Sequence, residues 1–156
     1  MKTAHLLFAA MTLACTAGPA FAQDASLPTN YGRVTLQSGF NNDPRVVSLR
    51  AGGDISAQHL GNGCTGFITR APDYSVTYQA GSLPLIISVA SSADTTLVIN
   101  DAEGNWRCDD DGGVNGSNPS VRINNPTSGR YDIWVGTYRS GESQPARLHI
   151  SEVSSQ

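Results

Sequence analysis

Lysine is all but missing from this chain: Lys2 is the only one in 156 residues. Beyond it, nine arginines stand against thirteen Asp and Glu, a net charge of −4. No basic stripe is available to neutralise phosphates, which argues against nucleic acid as a partner. Histidine is scarce as well, with His59 and His149 the only two past residue 22. Two separated histidines do not supply the clustered His and Cys of a zinc site. They also leave few bases for a nucleophilic serine, and no G-x-S-x-G elbow is present. After the first stretch no segment is apolar enough to form a membrane helix. No stretch holds a 3.6-residue apolar period for three turns, so amphipathic helices are not expected.

The first stretch is itself informative. Lys2, an apolar run from Leu6 to Ala14 and the small-residue sequence Ala20-Phe21-Ala22 follow the pattern of an export leader, with removal expected after Ala22. Thr12-Leu13-Ala14-Cys15 loosely offers a competing lipoprotein site at Cys15, but with Thr where Leu is preferred. Cutting after Ala22 leaves two cysteines, Cys64 and Cys108, the even count expected in an oxidising compartment. A bridge between them closes a loop of about 45 residues and stabilises the fold by roughly 4 kcal/mol. Residues 1–22 are therefore expected as signal, 23–30 as a polar lead-in that needs no fold, and 31–156 as one domain. The destination is the periplasm or the exterior.

What fills the domain is short β-prone runs punctuated by Gly, Asn, Asp, Ser and Pro. Ten strands are expected: 32–37, 45–50, 66–70, 75–79, 85–90, 95–100, 105–108, 120–124, 130–138 and 146–152. Leu85, Ile87 and Val89 share a face, as do Tyr131, Ile133 and Val135, and Leu148 and Ile150. This predicts an all-β, antiparallel two-sheet β-sandwich with jelly-roll-like connections, a closed barrel being the structural alternative.

The densest chemistry lies in Asn105-Trp106-Arg107-Cys108-Asp109-Asp110-Asp111-Gly112-Gly113. Three adjacent carboxylates repel by about 1 kcal/mol per pair even in water, and a hard cation taking six to eight oxygens offsets that. Asp109, Asp110 and Asp111 are thus the expected core of a calcium site, with Asp101, Asn115 and Asn118 as further oxygen donors. The spacing is not that of an EF-hand, because Gly113 falls at the third-ligand position and Ser120 where a bidentate Glu belongs. The competing reading is an acidic turn that only keeps the protein soluble.

Catalysis is not expected. Strand alternation puts His149 opposite Leu148 and Ile150, as an exposed strand histidine, and His59 beside a glycine turn reads likewise. A glycosidase needs two carboxylates across a cleft, and nothing places Asp132 and the acidic turn that way. Binding is the stronger class. Trp134 and Tyr138 lie opposite Tyr131 and Ile133, and Trp106 precedes the acidic turn, so a sugar-stacking surface is one reading. The other is that Trp106 and Trp134 pack over the disulfide. A third role, self-assembly, follows if the lead-in adds as a strand to a neighbouring copy.

The run DTTLVINDAEGNWRCDDDGG, followed after Asn118-Pro119 by SGRYDIWVGTY, resembles the bacterial pre-peptidase C-terminal domain, most closely from Asp94 to Tyr138. Gly39-Phe40, Asp43-Pro44, Gly52-Gly53 and Cys64-Thr65-Gly66 extend the similarity to small stand-alone secreted bacterial proteins built on that domain. The resemblance implies a calcium-stabilised sandwich that binds matrix, polysaccharide or a protein partner and is not itself a protease. It sets the aspartate-rich turn on Asp109, Asp110 and Asp111, and the G-x-Y-x-I-x-V strand on Gly129, Tyr131, Ile133 and Val135. No catalytic domain is expected in the residues at hand, a departure from the module's usual setting.

Overall fold

The computed structural model describes residues 22–61 and 63–156. The expected leader up to Phe21, with Cys15, lies outside the described residues. Eleven strands form in chain order: β1 (Arg33–Gln37), β2 (Arg45–Ala51), β3 (Ile55–Ser56), β4 (Phe67–Ile68), β5 (Tyr74–Gln79), β6 (Leu85–Ala90), β7 (Thr95–Asn100), β8 (Trp106–Asp109), β9 (Ser120–Ile123), β10 (Gly129–Thr137) and β11 (Gln144–Ser151). One 3-10 turn, Ala57–Leu60, follows β3. Sequence alternation located ten of these strands. It missed β3 and the 3-10 turn.

The strands form the expected two-sheet sandwich. The larger sheet runs β1-β5-β10-β7-β8, with β4 and then β3 continuing from the far end of β10. The smaller runs β2-β11-β6-β9. Most connections pass from one sheet to the other, as in a jelly roll, whereas β7 and β8 form a hairpin within the larger sheet. Pairing is antiparallel except for β1, which lies parallel to β5 with Arg33 opposite Ser75. That pair is joined through β2 to β4, the long crossover that parallel neighbours require.

Alternation fixes the main core. Val76, Tyr78, Leu97, Ile99, Ile133 and Val135 of the larger sheet meet Leu85, Ile87, Val89, Leu148 and Ile150 of the smaller, all fully or almost fully buried. Each such aliphatic side chain contributes about 1.5–3 kcal/mol by leaving water. A second, smaller cluster sits on the outer face of the larger sheet. There Trp134, Val98 and Ile68 are covered by Ala57 and the Cys64–Cys108 disulfide, with Ala25, Leu60 and Trp106 at its margin. The segment between β3 and β4 thus roofs a patch of the sheet that alternation alone would leave wet.

Residues 23–30, read from sequence as needing no fold, are laid along this same face. Asp24 N–H donates to the Arg70 carbonyl at 2.8 Å, Asn30 N–H to the Pro72 carbonyl at 2.9 Å, and Arg130 reaches the Ala25 carbonyl at 3.1 Å. The other end of the chain folds back over the smaller sheet, where Gln156 N–H donates to Ser88 Oγ at 3.0 Å.

Candidate functional site

The acidic turn begins where β8 ends. Asp109 is the last residue of β8, opposite Leu97. Its Oδ2 accepts from the N–H groups of Gly112 and Ser120, each at 2.8 Å, so one carboxylate ties β8 to the start of β9. The two glycines are required by crowding. A Cβ at Gly112 would stand 2.7 Å from Asp109 Oδ2, and one at Gly113 would stand 2.6 Å from the Asn118 carbonyl oxygen and 2.7 Å from that of Gln156.

Asp110 and Asp111 follow on the outside of this tie. Burial pushes the Asp110 carboxyl up, and the negative charges of Asp111, Asp109 and Asp94 push it further. Asp94, in the turn between β6 and β7, joins this negative patch only through the fold; no spacing signal in the sequence links it to residues 109–111. Neither ion pair seen among the described residues, Arg107 with Asp101 and Arg130 with Asp132, involves the patch.

The other expected donors are spent or elsewhere. Asp101 lies in the hairpin turn at the opposite end of β8, about 10 Å away at 3.3 Å per strand residue. Its Oδ1 accepts from the N–H groups of Glu103 and Asn105, and its Oδ2 takes Arg107 Nε at 2.8 Å. Burial raises the Asp101 carboxyl, but these N–H groups and the guanidinium outweigh it and hold it below the usual carboxylate range. Asn118 is buried, its amide spanning Thr95 Oγ1 and the Ser91 carbonyl at 3.1 Å each. Asn115 is exposed and faces a different cleft, with Ser92 and Arg147. Among the described residues no three His, Cys, Asp or Glu side chains converge closely enough to hold an ion as placed. Of the expected oxygen donors, Asp109, Asp110 and Asp111 remain together in the turn, whereas Asp101 and Asn118 are engaged elsewhere and do not fit the role.

The two tryptophans follow the reading in which they pack over the disulfide. Trp134 is fully buried. Its parity is as read, opposite Ile133 and Val135, and Ala57, Leu60 and the disulfide cover that face. Trp106 packs beside it with ring centroids 5.5 Å apart and planes tilted by 51°. Of the three aromatics Tyr138 is exposed, Trp106 half-buried and Trp134 buried. His149 is likewise buried rather than exposed, because the C-terminal segment closes over its face at Ser88, its partner in β6. Burial, and then Arg147, lower its readiness to take a proton, and neither ring nitrogen has a hydrogen-bond partner among the described residues.

Groups suited to catalysis are engaged in holding the fold. His59 is exposed as expected and makes contacts of 2.7 Å to the Ser56 carbonyl and to Gln23 Oε1. Asp132 takes Ser75 Oγ and Arg130, and Asp73 accepts from Val135 N–H at 2.8 Å and Asn30 Nδ2 at 2.9 Å. Burial pushes the Asp73 carboxyl up to about 6, against the pull of those donors.

The geometry so far defines a class: a disulfide-stapled β-sandwich. Residues 72–137, from just before β5 to the end of β10, match the model of the bacterial pre-peptidase C-terminal domain, and over that span the chain is similar to it. The strands β1 to β4 and β11 lie outside the match. No curated protein matches the sequence. Among solved structures, the crystal structure of Aeromonas hydrophila PliG, a periplasmic lysozyme inhibitor of g-type lysozyme, is similar at 18% identity with a TM-score of 0.41. That overlay covers 77% of this chain and 96% of that one. It is a loose likeness from which no function is carried over. Among the described residues no helix is long and apolar enough to cross a membrane.

Proposed function

We propose that this is an exported, non-catalytic binding module of the cell surface or periplasm, whose acidic turn takes a calcium ion. The observation that carries the calcium reading is the crowding at Asp110: three like charges surround a partly buried carboxyl, and neither observed ion pair relieves it. A divalent cation drawing Asp110 and Asp111 toward the free oxygen of Asp109 removes that repulsion, and the Cys64–Cys108 bond pins the strand from which the turn springs. Export is supported by the leader-like first residues and by a disulfide of the kind that oxidising compartments preserve. A non-catalytic role is supported by the structural employment of His59, Asp73 and Asp132.

Thermal melting with chelator and then with about 10 mM calcium tests the metal. Extracellular modules bind calcium at about 0.1–1 mM, so roughly 1.4–2.7 kcal/mol of added stability is expected at that concentration. The melting temperature then rises by about 5 °C or more, and the rise disappears in Asp110→Asn. An identical melt in chelator and calcium removes the metal from the proposal. The alternative of assembly by strand addition is less favoured, because residues 24–30 are already bonded to their own sandwich.

A further inference from the structure

The smaller sheet has a charge pattern at odds with the rest of the chain. Its four strands carry Arg45, Arg50, Arg122 and Arg147 and no Asp or Glu, in a protein whose acidic residues outnumber its basic ones. Alternation sends Leu49, Val89 and Leu148 inward and sets Ser48, Arg147 and Ala90 in one row across the outer face of β2, β11 and β6. The C-terminal segment occupies the neighbouring row at Ser88. Beside it a cleft of about 470 Å³ stays open, lined by Ser48, Leu49, Ser92, Asn115, Pro145 and Arg147 among others.

Four polar side chains of this cleft are uncommitted. Among the described residues the Arg147 guanidinium, the Ser48 and Ser92 hydroxyls and the Asn115 amide have no hydrogen-bond or ion-pair partner. Ser91 at the same rim is different: its hydroxyl donates to the Pro145 carbonyl and accepts from Ala93 N–H. Arg147 is the one charged residue of the lining.

A single guanidinium fork pairs two-pronged with a carboxylate. Hydroxyl and amide groups around it serve the hydroxyls of a ring, and Pro145 offers an exposed apolar surface to the ring's C–H face. An anionic membrane asks instead for a cluster of several basic side chains at the surface, which one arginine in a concave cleft does not present. We propose that this cleft binds a uronic-acid unit of an acidic polysaccharide. The proposal rests on the binding-module reading above for its biological sense, but not on the acidic turn holding calcium.

Calorimetric titration of the chain beyond residue 22 with tetragalacturonate, in chelator, tests it and leaves the calcium question to the melting experiment. Saturable binding is expected, weakened about tenfold or more by Arg147→Gln and by methyl esterification of the sugar, since each removes the charged fork pair. Asn115→Ala should weaken it about threefold, the loss of one neutral hydrogen bond. Arg122→Gln, a charge on the same face that bonds Asn124 outside the cleft, should leave it unchanged. Thermal melts of the variants that match the parent confirm that the fold is intact, and if Arg147→Gln fails to fold, Asn115→Ala and the ester carry the test. The proposal is overturned by no saturable binding at millimolar sugar or by equal binding to Arg147→Gln. Binding of tetraglutamate as tight as that of the sugar also overturns it, and assigns the cleft to an acidic peptide.

Discussion

The two ends of β8 are both aspartate turns, and they solve the same electrostatic problem in opposite ways. At the hairpin end, Asp101 is buried, accepts two backbone N–H groups and pairs with Arg107. Its charge is fully answered within the protein, and its carboxyl sits below the usual range. At the other end, Asp109 spends one oxygen tying β8 to β9, while Asp110 is crowded by Asp94, Asp109 and Asp111 and its carboxyl sits above that range. A carboxylate satisfied by donors is held below its ordinary range; one surrounded by its own kind is pushed above it, and that is where the proposed cation would act.

Several measurements break or sharpen this contrast. The largest effect is expected from the staple next to the acidic end. Reducing the Cys64–Cys108 bond, or replacing both residues by Ser, should lower stability by roughly 4 kcal/mol, read as a drop in the urea midpoint, and should abolish any calcium-dependent shift. At the hairpin end, Asp101→Ala should cost about 2–3 kcal/mol, the loss of charge-assisted bonds with their donors left behind, and should leave the calcium response intact. A calcium response lost in Asp101→Ala would erase the distinction between the two turns.

Acid separates the turns further. Because Asp110 is raised, the folded state holds its proton more tightly than the unfolded chain does, so repulsion is relieved and this contribution to stability grows as pH falls through its raised value. Asp101 is lowered, so its contribution is present above the unfolded carboxylate value near 3.8 and is lost as pH falls below that through its folded value. Asp73, raised to about 6, adds to the gain seen on mild acidification. Asp110→Asn should therefore gain less stability than the parent between neutral and mildly acidic pH, while the lowered His149 works in the opposite direction in both, measured by urea unfolding in chelator. The smallest effect is at neutral pH, where Asp110→Asn should be neutral or stabilising by up to about 1 kcal/mol without metal, because it removes a like charge. A clear destabilisation there would mean that Asp110 has a partner and the turn is not under strain.

Much of this was legible from the order of residues, and the misses share a cause. Period-two alternation placed Ile133 and Val135 inward, Trp134 outward, and the acidic residues at a strand end. It misjudged exposure at His149, and by itself it left Trp134 open between an exposed face and packing over the disulfide, because a residue facing away from the core is wet only if nothing crosses above it. Ala57, Leu60 and Cys64 cross above Trp134 and the C-terminal segment above His149. Asp101 and Asn118 were read as ligands on proximity in the chain. The hairpin carries Asp101 to the far end of β8, and the fold turns the Asn118 amide inward to Thr95 and Ser91.

By itself the sequence determined that the protein is a two-sheet sandwich, which cysteines pair, and where three carboxylates crowd, because strand alternation, cysteine count and adjacent charge are properties of neighbouring residues. Only the tertiary structure decided which faces are roofed, that Asp94 joins the negative patch, and that Ser48, Ser92, Asn115 and Arg147 line one cleft. Those depend on which distant segments cross one another, and that is settled by the packing of the two sheets and the loops that close over them.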